Sequence, residues 1–427
     1  MTSLGGLALL LLAGGVPIFF VLGLTALAAV IYADLPLVLI AHRFYTGLNN
    51  FTLMAIPFFI LAGLLMDAGG LSRRIVDFSI ALIGWVTGSL LMVAIVAATA
   101  LAAMSGSGSA DTAAVSAILQ PELRRRRYNV DFAAALIACS GTLAQIIPPS
   151  LMLVLIGVVN NLSIGALFLA GILPGLLVLP GLFAIAFRHA SKGGPQYKAS
   201  QPFSWRLLVS SFIAAVPAFG MAVVIMGGII GGVFTPTEAA GSAVVYALIV
   251  GLFVYRELTW DRFVKAMVQA SAFTSGILIL VAGATTFNWL IADAGVPEMI
   301  KQWFLTNVGS FWSFLLIVNL LLMALGMVME SLAILLLLSP ILLPIAVGYG
   351  IDPVHFSVVM VFNCAIGMVT PPLGGAVFVA ATIAQRPFLS VVRHVLQPWA
   401  WMTAVLLVVS FVPVITLILP QLAGYMD

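Results

Sequence analysis

Charged side chains are scarce in this chain. Asp, Glu, Lys and Arg make up 7% of it against 63% hydrophobic residues, and the mean hydropathy is +1.22. A water-facing domain carries about 25% charged residues, so this chain has no means of covering itself with a wetted surface. It reads as an all-α polytopic membrane protein. Cysteine is nearly absent too. Cys139 and Cys364 stand inside apolar segments, each shortly before a proline pair, and read as small packing residues rather than a disulfide. His42, His189, His355 and His394 are scattered without metal-ligand spacing. There is no His-Glu metal motif, Ser–His arrangement or catalytic Asp pair, which argues against an intramembrane enzyme. The net charge of +3 does not signal a nucleic-acid partner, because the bases sit in short loops between apolar spans, where they report topology.

What is abundant is apolar sequence in long runs. Continuous crossings are predicted at Leu7 to Ile31, Leu53 to Met66, Phe132 to Val159, Ala166 to Phe187, Leu207 to Ile230, Ala239 to Tyr255, Ser271 to Ile291, Phe356 to Ile383 and Trp399 to Leu419. The first lacks a basic leader region and is long enough to span, so it reads as a mature helix. The second is short and is expected to borrow apolar residues from Leu35 to Ile40. Two further stretches, Ser89 to Leu123 and Phe311 to Val347, are too long for one helix. They break midway, at Ser105-Gly106-Ser107-Gly108-Ser109 and at Gly326 to Ser331. They are predicted to be re-entrant hairpins whose tips face a polar site, since irregular backbone at membrane depth survives only when buried in protein or lining a wet cavity.

The chain also repeats itself. Asp111, Pro121 and Pro148-Pro149 are matched by Glu330, Pro340 and Pro371-Pro372, 219 to 223 residues later. Asp67-Ala68-Gly69 and Asp293-Ala294-Gly295 end equivalent helices, each followed by an amphipathic stretch (Leu71 to Leu82, Val296 to Phe304) suited to the interface. Arg73, Arg74 and the run Arg124 to Arg127 bracket the first hairpin. Further bases mark the loops around Arg188 to Arg206 and Arg256 to Lys265. By the positive-inside rule these loops are cytoplasmic. The N-terminus is then inside, the C-terminus outside, and the two halves are inverted. The expected division is a first repeat over 1–200 (hairpin 89–123, broken helix 132–159), a linking crossing at 207–230, and a second repeat over 239–427 (hairpin 311–347, broken helix 356–383). Duplicated halves with broken helices at matching places point to a transporter substrate site.

The chemistry is expected at those breaks. Glycines let the first tip turn, and its freed carbonyls and Ser hydroxyls can wrap a small cation. The second arm, starting at about Ala110, would aim free N–H groups at an anion. Asp111 is read as part of, or beside, that cation site, with a plain N-terminal cap as the alternative. Proline removes a donor and orphans the carbonyls before it, so Gly141-Thr142 and Gly367 to Thr370 could complete the shell. An ionisable group such as Glu330 at membrane depth usually signals function. Cation candidates are therefore Ser105, Gly106, Ser107, Asp111, Gly141, Thr142, Gly326, Glu330, Ser331, Gly367 and Thr370. Substrate candidates are Ser107, Ser109, Ser150, Pro148, Pro149, Pro371 and Pro372. Thr235 or Thr237 with Glu238 reads as a helix cap. Trp289, Trp303, Trp312, Trp399 and Trp401 read as an aromatic belt.

These residues resemble a known family. Ile56 to Phe59 with Leu61-Ala62-Gly63, Gly69 to Arg74, Ser105-Gly106-Ser107, Ile146 to Ser150, Leu167 to Gly171 with Pro174-Gly175, Gly232 to Ala240, Gly350 to Phe356 and Pro371-Pro372 together resemble the large permease subunit of tripartite ATP-independent periplasmic (TRAP) transporters over nearly the whole chain. The resemblance implies an elevator-type secondary transporter of the ion-transporter superfamily in the bacterial inner membrane. It implies Na⁺ coupling without ATP, two or more Na⁺ ions, and import of organic acids such as C4-dicarboxylates, sialic acid or sugar acids. The implied partners are a small four-helix membrane subunit, expected as a separate protein, and a periplasmic binding protein. The family's ion sites fall here on Ser105 to Ser109, Gly141-Thr142, Gly326 to Ser331 and Gly367 to Thr370. Glu330 stands where the family often has Asp. The alternatives are a standalone Na⁺- or H⁺-coupled anion transporter of the same superfamily and a channel. A channel would need a continuous polar path, where this chain offers two dead-end hairpins.

Overall fold

The computed structural model describes residues 2–199 and 202–425, and among these it is helical with no strand. In chain order the helices are α1 (Thr2–Ala13), α2 (Ile18–Tyr32), α3 (Val38–Leu48), α4 (Ala55–Ala68), α5 (Leu71–Ile83), α6 (Ser89–Ser105), α7 (Gly108–Arg125), α8 (Val130–Gly141), α9 (Leu151–Asn160) and α10 (Ile164–Lys192). They continue with α11 (Trp205–Ile230), α12 (Pro236–Ile249), α13 (Trp260–Asp293), α14 (Val296–Asn307), α15 (Phe311–Gly326), α16 (Ser331–Gly348), α17 (Pro353–Gly367), α18 (Gly375–Ile383), α19 (Phe388–Phe411) and α20 (Val414–Leu422). Among the described residues, seven helical stretches are long and apolar enough to cross a bilayer. The chain is a polytopic helical membrane protein.

Several predicted crossings change. Leu7 to Ile31 is not one helix: Gly15 turns left-handed (φ +75°) after α1, and Pro17 precedes α2, the usual glycine-then-proline stop. Leu35 to Ile40 feeds α3, not the second crossing, which runs from a 3₁₀ turn at Phe51–Met54 into α4. α13 starts at Trp260, capped by Thr259, so Arg262 and Lys265 lie in its first turns and not in a loop. The last crossing starts at Phe388 and is cut before Pro413, with α20 following.

Both stretches predicted as re-entrant hairpins fold back on themselves at their predicted breaks. α6 packs against α7, and α15 against α16. The two proline pairs interrupt the segments α8–α9 and α17–α18, and both pairs are cis. α4 ends in Asp67-Ala68 before Gly69-Gly70, and α13 ends at Asp293 before Ala294-Gly295, with Gly70 and Gly295 left-handed (φ +80° and +70°) ahead of α5 and α14. α5 buries Leu71, Ile75 and Val76 on one face, as an interfacial helix would.

The halves do not form separate bodies. α2, from the first half, lies along α13, while α12, from the second, lies along α4; α11 packs on α5 and α12. This outer set packs on α6, α9 and α16 of the hairpins and broken helices. Within that inner set, side chains tie one half to the other. Arg386 grips both oxygens of Asp131 at 2.5 and 2.8 Å. Arg124 Nη2 donates to the Ala384 carbonyl at 2.5 Å, holding the end of α18 against α7. Asn160 Nδ2 donates to Ser339 Oγ at 2.8 Å.

A buried polar chain fixes the second half. His355 contacts Thr416 Oγ1 (2.7 Å) and the Ser410 carbonyl (3.2 Å), Asn319 Nδ2 donates to Ser410 Oγ (3.1 Å), and Asn363 Nδ2 donates to Asn319 Oδ1 (2.9 Å). Such bonds between membrane helices average about 0.6 kcal/mol and reach about 1.7. Asn319→Ala removes one donor and one acceptor and leaves the Ser410 and Asn363 partners buried. It is expected to destabilise by about 1–2 kcal/mol, read as a lower unfolding midpoint of the purified protein in detergent.

Candidate functional site

Each hairpin tip is pressed against the broken helix of its own half, and glycine makes the approach possible. A Cβ placed on Gly326 would stand 2.8 Å from Gly367 Cα, and one on Gly367 would stand 2.8 Å from Gly326 Cα. In the first half, a Cβ on Gly108 would lie 3.1 Å from Thr142 Cα, and one on Gly141 3.1 Å from the Gly108 carbonyl. Gly106 takes φ +62° and sits where a Cβ would meet the Pro149 carbonyl at 2.6 Å. Backbone meets backbone in both halves. Four of the predicted site glycines thus act by what they lack.

The first tip is a tight turn: α6 ends at Ser105, Gly106 is left-handed, Ser107 is extended, and α7 starts at Gly108, two residues before the expected Ala110. Asp111 lies in the first turn of α7, buried. Its Oδ1 accepts from Ser105 Oγ at 2.5 Å, while Oδ2 is buried and without a partner. Ser107 N donates to Ser105 Oγ at 3.2 Å, and Asp111 N to the Ser107 carbonyl at 3.0 Å. The second tip differs. Glu330 occupies the N-cap position of α16, makes no capping bond and is exposed to the cavity, while Ser331 is buried behind it.

Between the tips lies a cavity of about 610 Å³. The first tip lines it with Ser105, Ser107, Gly108, Ser109 and Asp111, and the second half with Glu330, Ser331, Leu332 and Met368. Asp67 and Ser72 from α4–α5 and Phe273 and Ile277 from α13 close it from the outer set. Among the described residues, three carboxyl groups face this space, and no Lys, Arg or His does.

Other predicted residues stand behind the wall. Pro148, Pro149, Pro371 and Pro372 shape the breaks without lining the cavity, and so do Gly106, Gly141, Gly326 and Gly367. Ser150, predicted to touch substrate, does not line it either: its hydroxyl donates to the Gln145 carbonyl and accepts from Leu153 N, capping α9. The hydroxyls of Thr142 and Thr370 turn back onto the Cys139 and Ile366 carbonyls (2.9 and 2.7 Å), and Thr370 also accepts from Trp399 Nε1 at 3.0 Å. Trp399 therefore bonds inward rather than to an interface. So does Trp401, whose Nε1 donates to the Val178 carbonyl at 2.8 Å. On the opposite end, Thr235 and Glu238 form a reciprocal capping box at the start of α12.

The sequence reading passed over Gln145. Buried at 2% exposure, it reaches from the first broken helix to Ser331 Oγ (3.3 Å) and Met368 Sδ (2.6 Å) in the second half. One amide between Thr142 and Pro148, amid apolar neighbours, was the available signal.

A helical membrane protein whose two interrupted hairpins close on a central cavity is built as a membrane transporter. The family model described as "Tripartite ATP-independent periplasmic transporter, DctM component" matches residues 5–415. The chain belongs to this family of TRAP large permeases, which are transporter proteins and not enzymes. It is 40% identical over 419 residues to the sialic acid TRAP transporter large permease SiaM of Vibrio cholerae, covering 97% of each chain. It is 36% identical over 437 residues to the C4-dicarboxylate TRAP transporter large permease DctM of Rhodobacter capsulatus, covering 98% of each. Among solved structures, the Alcanivorax borkumensis YdaH transporter, described as having an unusual topology, shares the fold with a TM-score of 0.56 at 15% identity, over 90% of this chain and 87% of that one.

The glycine contacts give a direct check. Gly326→Ala and Gly367→Ala force the tip off its helix and are expected to cost about 1–3 kcal/mol each. Gly276→Ala in α13, where a Cβ meets nothing within 4 Å, should be neutral or stabilise by about 0.5–1 kcal/mol. Thermal unfolding midpoints of the three variants in detergent decide it.

Proposed function

We propose that this chain carries an organic acid into the cell together with Na⁺, as the large permease of a three-part transporter with a small membrane subunit and a periplasmic binding protein. The observation that carries the reading is the charge of the cavity. Asp67, Asp111 and Glu330 line it without a base. A carboxylate could not enter such a space alone, because uncompensated like charges in low dielectric repel strongly. Cations must come with it. Na⁺ prefers oxygen ligands, and the first tip offers the Ser105 and Ser107 hydroxyls, backbone carbonyls and the unpartnered Asp111 Oδ2. Glu330 and Ser331 offer a second set. With cations bound, the N-terminal ends of α7 and α16 present free N–H groups to the substrate carboxylate. Relatives named for sialic acid and C4-dicarboxylates support an acid as cargo.

In this reading the inner set moves as one body against the outer set, carrying the cavity across the membrane. The N-terminus is cytoplasmic and the C-terminus periplasmic, as the Arg73-Arg74 and Arg124 to Arg127 clusters suggest.

The test is uptake into proteoliposomes holding this chain and its small subunit, with the binding protein outside. Replacing all Na⁺ by choline should abolish uptake, and Asp111→Asn should lower it by about tenfold or more, equivalent to ~1.4 kcal/mol. Uptake unchanged in choline sinks the coupling; full activity in both Asp111→Asn and Glu330→Gln sinks the assignment of the site.

A further inference from the structure

Gln145 and Met368 hold matching positions, each three residues before a proline pair, and in the folded chain they touch, with Gln145 Nε2 2.6 Å from Met368 Sδ. Both line the cavity. Matched positions that meet mark the line about which the two half-sites are arranged. A substrate lying across that line meets an amide on one side and a thioether on the other. Around them the first tip contributes Ser105, Ser107 and Ser109 and the second Glu330 and Ser331, while apolar lining comes from both halves, Leu151 and Met152 from the first and Leu332 from the second.

The hydrogen-bond inventory of Gln145 sharpens this. Its Nε2 is taken up by Ser331 and Met368, and its Oε1 is buried without a partner. An amide oxygen accepts and cannot donate, so what it lacks is an O–H or N–H group. A carboxylate or a ketone has no such proton; a hydroxyl has. Resting on the organic-acid reading above, we infer that Gln145 sets specificity here and that the substrate is a hydroxy monocarboxylate, its hydroxyl donating to Gln145 Oε1 and its apolar body lying on Met368 and Leu332. A symmetric dicarboxylate would press its second charge against the Met368 thioether, a weak acceptor with no proton to give.

The experiment uses the full-length chain in detergent with Na⁺ present. Its unfolding midpoint is titrated with 2-hydroxyisovalerate, with isovalerate, which lacks only the hydroxyl, and with succinate. Sites built to bond a hydroxyl reject the analogue without it, so the wild type should respond to 2-hydroxyisovalerate at concentrations at least about tenfold lower than to either other acid. Gln145→Met should erase the preference over isovalerate, and Met368→Gln should narrow the gap to succinate. If Gln145→Met does not fold, Gln145→Asn draws the amide back from the hydroxyl and should weaken the same preference. Preferences that stay the same in every variant overturn the Gln145 assignment and leave the organic-acid reading standing. A wild type stabilised by none of the three acids overturns both.

Discussion

Backbone that leaves a helix inside a bilayer must find its partners in protein, because lipid offers none. The architecture of this chain follows from that constraint. Two tips and two proline breaks each free polar backbone groups, and each tip is pressed against the break in its own half. Gly108 against Gly141-Thr142 and Gly326 against Gly367 are the contacts that close them. A methyl group on any of these glycines would crowd the backbone that faces it. The polar groups left over then converge on one cavity.

That arrangement explains why the halves are interleaved. A hairpin and a broken helix can bury each other, but together they still present apolar flanks. α2 lying on α13 and α12 lying on α4 give the inner helices a frame built from both halves, which packs on α6, α9 and α16. Inside the frame, the ties between halves are polar and specific: Asn160 on Ser339, Gln145 on Ser331. In hydrocarbon surroundings a misplaced polar group is costly, so these pairs fix how the two half-sites face one another.

Much of this was legible in the sequence because the same physics writes the signal. A small, polar run such as Ser105 to Ser109 inside an apolar stretch can only be a turn, and a proline pair can only be a break. Hydropathy is blind to shorter events. It read through Gly15 and Pro17 and through Pro413, where apolar residues continue while the helix does not. It also says nothing of direction: Trp399 and Trp401 near a span end look like belt residues, yet both indoles bond inward. The hydroxyl of Ser150 was expected to touch substrate, but it is taken by a nearby carbonyl, as are those of Thr142 and Thr370, a local choice that composition does not reveal. Gln145 escaped because its partners lie in the other half of the chain.

The cavity's electrostatics impose an order of events on the proposed cycle. Asp111 is buried with one oxygen unpartnered, Glu330 is open to the cavity, and Asp67 stands on the frame side. An anion arriving first would meet three carboxyl groups and no Lys, Arg or His among the described residues. A cation arriving first meets attraction, and once bound it turns the same tips into an anion site by leaving the helix N-termini uncontested. Tight coupling then needs no separate gate for the anion. In the proposed cycle the carboxyl groups of the cavity disfavour the anion until a cation or a proton has compensated them.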